Sequence, residues 1–157
     1  MKMHMWAAVA AAALAAGCAT TPEAGGETFT PTYGSVSLSS GFTPDPYQAT
    51  LTSGGAMRAS NLGGGCNGWI AEHMDYGIYY EAGSFDLTIS ARSNSDTTLV
   101  VMGPGEILYC DDDSGDGLNP MITIKNPRSG AYGVWLGSYS EGVFATSTLS
   151  ISELGFQ

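Results

Sequence analysis

The sequence predicts an all-β domain, a sandwich or a barrel, from Tyr33 onward. Apolar residues recur there at every second position, which is the period of a strand with one buried face. Gly, Pro, Asn and Asp interrupt this pattern about every 8–12 residues, as turns do in an all-β domain. The 22 glycines and 7 prolines also disfavour helices, and no stretch shows a helical stripe of apolar side chains.

The predicted strands differ in strength. The clearest is Phe85–Ala91, in which apolar residues occupy the odd positions and polar residues the even ones. Leu99–Met102 is a short apolar run typical of a central strand, and Ser93–Asp96 is the turn between the two. The remaining strands, in chain order, lie around Val36 and Leu38, around Ala49 and Leu51, around Ile78–Tyr80, and over Ile107–Cys110, Met121–Ile124, Tyr132–Leu136 and Val143–Ile151.

The N-terminal residues predict an export signal. Lys2 precedes the apolar run Trp6–Ala16, which is much shorter than the roughly 20 residues that span a bilayer. The segment Leu14-Ala-Ala-Gly-Cys18 resembles the lipobox of bacterial lipoproteins, which implies lipidation of Cys18. Ala19 follows the cysteine, and in that class this implies sorting to the outer membrane. The alternative is an ordinary secretory signal that a cysteine happens to follow.

These features divide the chain into three parts. We expect a lipoprotein signal peptide over residues 1–17, a flexible tether over 18–32, rich in Thr, Pro, Gly and Glu, and one domain over 33–157. The exported protein would be held at the outer membrane by the lipid on Cys18, and it would face the periplasm or the cell surface.

The chain is strongly acidic. Its 5 basic and 15 acidic residues give a formal net charge of −10 at pH 7. Such a surface repels nucleic acid and anionic membrane faces, and it attracts cations. We therefore expect no nucleic-acid partner.

The cysteines predict one disulfide. Of the three, Cys18 is assigned to lipid, which leaves Cys66 and Cys110 in an oxidising compartment. Pairing them would stabilise the fold by roughly 4 kcal/mol through loop closure. The alternative is two free buried thiols.

Several spaced motifs resemble one family. They are Cys66-x-Gly-Trp-Ile70, Tyr79-Tyr-x-Ala-Gly-x-Phe85, Asp96-Thr-Thr-Leu-Val-Val101, Tyr109-Cys-Asp-Asp-Asp113 and Ser129-Gly-x-Tyr-x-Val-Trp135. Together they resemble the bacterial pre-peptidase C-terminal (PPC) domain in its exported, stand-alone form. The resemblance covers about 33–151 and implies a jelly-roll-like antiparallel β-sandwich of about 8–9 strands. In larger relatives such a domain accompanies secreted proteases and often binds calcium.

The densest chemistry is the acidic segment Cys110–Pro120. Asp112-x-Ser-x-Asp-Gly117 fits the first half of a calcium loop, but the twelfth position is Thr123 rather than Glu, so the segment is not an EF-hand. We predict a Ca²⁺ site of another kind, with oxygen donors drawn from Asp111, Asp112, Asp113, Ser114, Asp116 and Asn119. The alternative is a solvated acidic turn whose carboxylates cap local backbone amides.

Aromatic side chains are candidates for a ligand surface. The candidate residues are Trp69, Tyr79, Tyr109, Trp135 and Tyr139. In a sandwich such rings often belong to the core or its rim instead. Trp135 is out of phase with the other apolar residues of 132–136, so the sequence leaves open which face of this strand is buried.

Three functions are compatible with the sequence. The first is a non-catalytic binding or accessory module of the cell envelope, with a protein, peptide or glycan ligand. The second is a purely structural envelope lipoprotein. The third is a small hydrolase, which would need His73 beside a serine or two convergent acids. Neither G-x-S-x-G nor H-E-x-x-H occurs, so we expect no enzyme.

Overall fold

The computed structural model describes residues 30–155, which form eleven strands and one short 3-10 helix, Ala59–Asn61. The predicted signal peptide 1–17, Cys18 and the tether up to residue 29 lie outside the described residues. Every strand predicted from the sequence is present, and the all-β prediction is confirmed. No helix among residues 30–155 is long and apolar enough to cross a membrane. The strands are β1 (Ser35–Ser39), β2 (Tyr47–Ser53), β3 (Met57–Arg58), β4 (Trp69–Ile70), β5 (Tyr76–Glu81), β6 (Leu87–Arg92), β7 (Thr97–Gly103), β8 (Ile107–Asp111), β9 (Met121–Ile124), β10 (Gly130–Ser138) and β11 (Ala145–Ser152).

Most of the strands form antiparallel pairs that are nested inside one another. The outermost pair is β2 with β11, followed by β5 with β10, β6 with β9, and the hairpin β7–β8. The pairs assemble into a 4-stranded sheet ordered β2-β11-β6-β9 and into the path β5-β10-β7-β8 of a 7-stranded sheet. This nested order is the double Greek key of a jelly roll, as the resemblance implied.

Three strands are added to the larger sheet. Strand β1 pairs in parallel with β5, so this sheet is mixed rather than purely antiparallel. The β3–β4 hairpin extends the end of β10, where Ser138 is opposite Trp69. Strands β3 and β4 have two residues each, which is too short to show a period, so the sequence predicted about 8–9 strands instead.

The main core lies between the two sheets. Tyr132, Val134 and Leu136 of β10 point inward and are almost fully buried against residues such as Ile89 and Leu149 of the smaller sheet. Burying side chains of this size stabilises the fold by roughly 1.5–3 kcal/mol each.

The strand over 85–91 differs from its prediction at both faces. Strand β6 begins at Leu87, and the side chain of Phe85 is 52% exposed rather than inward-facing. Thr88 and Ser90 on the polar face are buried as well, because β6 lies between β11 and β9. The Thr88 hydroxyl is 3.1 Å from that of Thr123 on β9, which satisfies its polar atom.

A second, smaller core covers the outer face of the larger sheet. Trp135 lies in it and is only 6% exposed. Both faces of β10 are therefore buried, which answers the question, left open by the sequence, of which face of this strand is covered. The buried members of this second core are Ala59, Cys66, Ile70, Val100 and Trp135.

The β3–β4 hairpin is held on the sheet by close packing and by a covalent bond. A Cβ atom at Gly55 would lie 2.0 Å from the backbone of Ile70, and one at Gly137 would lie 2.8 Å from the carbonyl oxygen of Trp69. Glycine is therefore required at both positions for the chains to approach so closely. The predicted disulfide joins Cys66 to Cys110, with Cα atoms 5.2 Å apart, and links the hairpin segment to β8.

Candidate functional site

The nested strand pairs bring four connections to one end of the sandwich. These connections cover 54–56, 93–96, 112–120 and 139–144, and we call this end the loop end. Backbone hydrogen bonds join them: the amide of Tyr139 donates to the carbonyl of Asp96 at 3.2 Å, and that of Thr97 donates to the carbonyl of Leu118 at 3.2 Å. The acidic segment thus lies beside the turn between β6 and β7, and that turn lies beside the β10–β11 connection.

Asp111 holds the acidic segment in place. Its carboxylate accepts hydrogen bonds from the Ser114 amide at 2.9 Å, the Ser114 hydroxyl at 2.5 Å and the Met121 amide at 2.8 Å. These three bonds close the segment at both ends. Asp111 therefore acts as the backbone cap that the sequence suggested as the alternative to a metal ligand.

Asn119 ties the acidic segment to the β6–β7 turn. Its Oδ1 atom accepts a hydrogen bond from the Ser93 amide at 2.8 Å, and its Nδ2 group donates to the Asp116 carbonyl at 2.8 Å. Both polar ends of this side chain thus satisfy backbone groups.

The other acidic side chains of the segment have different surroundings. Asp112 accepts a hydrogen bond from the Asn67 amide group at 3.0 Å, beside the disulfide. Asp116 is exposed and lies 3.9 Å from Arg92, a spacing that stabilises little at the surface. Asp113 and Ser114 are exposed to solvent, and Ser114 is already bonded to Asp111.

Asp96 is an acidic residue of the loop end that the sequence analysis missed. Burial raises the pKa of Asp96, and the negative charges of Asp113 and Asp112 raise it further. Its Oδ1 atom is buried and has no hydrogen-bond partner among the described residues. The sequence showed Asp96 only as part of a polar turn, and nothing in that pattern reveals which distant carboxylates face it.

Several of the predicted calcium donors are engaged by other groups of the protein. Asp111 and Asn119 are engaged by backbone groups, and Asp116 lies beside Arg92. Within residues 30–155, no three Asp, Glu, His or Cys side chains are grouped closely enough to hold a metal ion. The charges of Asp112 and Asp113 both act on Asp96.

Large apolar side chains are exposed at the loop end. Leu118 in the 112–120 connection is 55% exposed and Phe144 in the 139–144 connection is 63% exposed, and Tyr139 and Val143 of the same connection as Phe144 are also exposed. Phe144 lies over Gly54, from whose ideal Cβ position its Cδ1 atom is 3.1 Å. Exposed apolar side chains gathered at one place mark interaction sites more often than scattered ones do.

The aromatic candidates do not form one surface. Tyr139 is exposed at the loop end, and Trp69 lies on β4 next to it, half-buried. Tyr79 is on the outer face of β5, and Tyr109 on β8 packs against the main core. Trp135 is buried in the second core, so it belongs to packing rather than to an exposed surface.

The hydrolase geometry is not assembled around His73. His73 is exposed in the connection between β4 and β5, and among the described residues it has no hydrogen bond with a serine or a carboxylate. Its neighbour Asp75 is 2% exposed and bonds the Leu136 amide instead.

Comparisons with known proteins find a likeness among solved structures. No family model and no curated protein matches the chain. Among solved structures, the chain is similar to Aeromonas hydrophila PliG, a periplasmic lysozyme inhibitor of g-type lysozyme, at 17% sequence identity and a TM-score of 0.38, over 75% of this chain and 96% of that chain. At that TM-score the likeness carries no argument about this chain.

Proposed function

We propose that this chain is a non-catalytic binding module of the bacterial cell envelope, which captures a basic protein or peptide at its loop end. The observation that carries the proposal is the set of exposed apolar side chains there, among them Leu118, Tyr139 and Phe144, set among acidic residues. The acidic residues of this end are Asp96, Asp111, Asp112, Asp113, Asp116 and Glu141.

The two kinds of side chain have separate parts in binding. Apolar side chains such as Phe144 and Leu118 supply the free energy of burial when a partner covers them. The carboxylates select the sign of charge on the partner and speed its approach, because opposite charges steer association. A partner with lysine or arginine around an apolar patch would match both.

The loop end is held in shape before a partner arrives. Asp111 and Asn119 hydrogen-bond to backbone groups of the acidic segment and of the β6–β7 turn. The disulfide fixes Cys110, the first residue of the segment. Less conformational entropy is then lost on binding, which favours affinity.

The location in the envelope is supported by the sequence and by the disulfide. Residues 1–18 resemble a lipoprotein signal with a lipidated Cys18, and a Cys66–Cys110 bond suits an oxidising compartment. We propose an outer-membrane lipoprotein that faces the periplasm or the cell surface.

The loop end would also hold the Ca²⁺ ion that the sequence predicts, with a smaller donor set. Asp96, Asp112 and Asp113 are the proposed donors, supported by the unpartnered Oδ1 atom of Asp96 and by the repulsion that the charges of Asp112 and Asp113 exert on it. The side chains of Asp112 and Asp113 would move toward Asp96 on binding, because the three are not grouped closely enough as they stand. The ion would relieve this repulsion, and an exposed site of this type binds with a Kd on the order of 10⁻⁴–10⁻³ M.

The test is selection from a random peptide library displayed on phage, with the purified full-length protein as target. We expect enriched peptides to combine lysine or arginine with apolar residues, and synthetic copies to bind at least about tenfold more weakly to the double variant Tyr139→Ser with Phe144→Ser.

Phe85→Ser is the matched control. Phe85 is as exposed as Tyr139, but it lies in the 82–86 connection at the opposite end, where Asp86 bonds Lys125. Enriched peptides without positive charge would overturn the proposal. So would an equal loss of peptide binding in Phe85→Ser and in the Tyr139→Ser, Phe144→Ser double variant.

A further inference from the structure

A pocket on the outer side of the larger sheet lies beside the β3–β4 hairpin. Its volume is about 450 Å³, and it contains one basic, one acidic, one amide and one large aromatic side chain. The residues that line it are Ala56, Met57, Arg58, Asn61, Trp69 and Glu72.

Arg58 is oriented in this pocket by Trp69. The centre of its guanidinium lies 4.4 Å from the centroid of the Trp69 ring, the arrangement of a cation–π contact. The contact with the ring restricts the guanidinium, and its N–H groups are the donors for an oxygen ligand.

The charges of Arg58 and Glu72 are not neutralised by an oppositely charged side chain in residues 30–155. Lys125 pairs there with Asp86, and Arg92 lies near Asp116, but neither Arg58 nor Glu72 has an ion pair or a hydrogen bond to a described side chain. A basic and an acidic group thus line one pocket without neutralising each other.

The base of the pocket is rigid. Arg58 and Trp69 are opposite each other on β3 and β4, and the amide of Ala59 extends this pairing by donating to the Gly68 carbonyl at 3.0 Å. Behind them, Ala59 and Ile70 are fully buried in the second core. The Trp69 ring, which lies on this base, therefore keeps its position without a ligand.

We propose that this pocket binds a small zwitterionic ligand, a free amino acid or a short peptide with both ends charged. Arg58 would bind the carboxylate, Glu72 the ammonium group, and the Trp69 ring would pack on the carbon chain between them. The net charge of −10 repels a simple anion from the whole molecule, and a net-neutral zwitterion avoids that repulsion.

This inference is independent of the proposed function. It rests on the hairpin side of the sheet and not on Leu118 or Phe144, so either proposal can fail while the other stands.

The experiment is a titration of the ¹⁵N-labelled full-length protein in detergent, which follows the indole N–H signal of Trp69. The probes are alanine, dialanine, N-acetylalanine, which lacks the ammonium group, and dialanine amide, which lacks the carboxylate. We expect a saturable shift with alanine or dialanine, and whichever binds more tightly identifies the source of the ligand. Each blocked probe should bind at least about tenfold more weakly.

Variants test whether Arg58 and Glu72 bind the two charged groups of the ligand. Arg58→Gln and Glu72→Gln should each weaken the binding of alanine or dialanine at least about tenfold. Arg128→Gln, which changes another exposed arginine, should leave this binding unchanged. The buried Trp135 signal reports whether each variant is folded. Any of three results overturns the proposal. The blocked probes bind as tightly as the free ones, Arg58→Gln binds as tightly as the unmodified protein, or no probe shifts the Trp69 signal.

Discussion

The Oδ2 atom of Asp111 accepts a hydrogen bond from the backbone amide of Met121 at 2.8 Å, across the whole acidic segment. The first residue after the disulfide cysteine is thereby joined to the first residue of β9. The most acidic part of the chain is consequently closed by one of its own carboxylates, whatever its other aspartates bind.

We predict that Asp111→Ala destabilises the protein by about 2 kcal/mol, because it leaves two backbone amides without their acceptor. Urea denaturation, with calcium and with a chelator, measures the loss, which should be similar in both. Asp116→Ala is the control, since the side chain of Asp116 is exposed and lies 3.9 Å from that of Arg92, a contact that stabilises little. Equal stability of the two variants would contradict the capping role.

Calcium should raise the melting temperature through Asp96. At a calcium concentration about ten times the Kd, the expected stabilisation is about 1.4 kcal/mol. Asp96→Asn should abolish the rise and, in chelator, should leave the protein at least as stable, because it removes a charge that Asp112 and Asp113 repel. Asp116→Asn should keep the rise. A melting temperature that calcium does not change in the unmodified protein would contradict the site.

The strands could be predicted from the sequence because their burial follows a two-residue period. Leu87, Ile89 and Ala91 are buried as the pattern requires, and the motifs implied the jelly-roll order. The pattern could not decide which face of β10 is buried at Trp135, because a period of two assumes one covered face. In the structure the β3–β4 hairpin covers the other face as well. That hairpin could not be predicted, since close packing at Gly55 rather than periodicity forms it.

The candidate site was only partly predictable for the same reason. The acidic segment is visible in the sequence because its aspartates are neighbours in the chain. Asp96 and Phe144 join it only through the nested strand pairs, and Arg58 meets Trp69 only through a two-residue pairing. Long-range contacts of this kind leave no local pattern.

The disulfide should contribute about 4 kcal/mol, because it closes a loop of sequence separation 44. Replacing both Cys66 and Cys110 by serine should lower the urea midpoint accordingly and expose Trp135, whose emission would shift to longer wavelength. Reductant should lower the midpoint of the unmodified protein and leave that of the double variant unchanged. Coincident curves for the unmodified protein and the double variant without reductant would show that packing alone holds the hairpin.

Asp75 should make the stability depend on pH in the neutral range. Burial raises the pKa of Asp75 to about 7, against an ordinary value of 3.8, and the hydrogen bond from the Leu136 amide only partly opposes this. Between these values the folded protein holds a proton that the unfolded chain has released, so stability falls as the pH rises from about 4 to about 7.

Asp75→Asn should remove this dependence, because the amide keeps an acceptor for Leu136 and carries no charge. We expect the variant to be more stable at pH 8, by on the order of 2 kcal/mol, and nearly equal to the unmodified protein at pH 4. Urea denaturation across this range measures both. Asp86→Asn is the control: Lys125 lowers the pKa of Asp86, so the pH dependence of stability that Asp86 contributes lies at acid pH and has the opposite sign, and this variant should leave the slope in the neutral range unchanged. Parallel stability curves for Asp75→Asn and the unmodified protein would show that Asp75 stays ionised in the folded state.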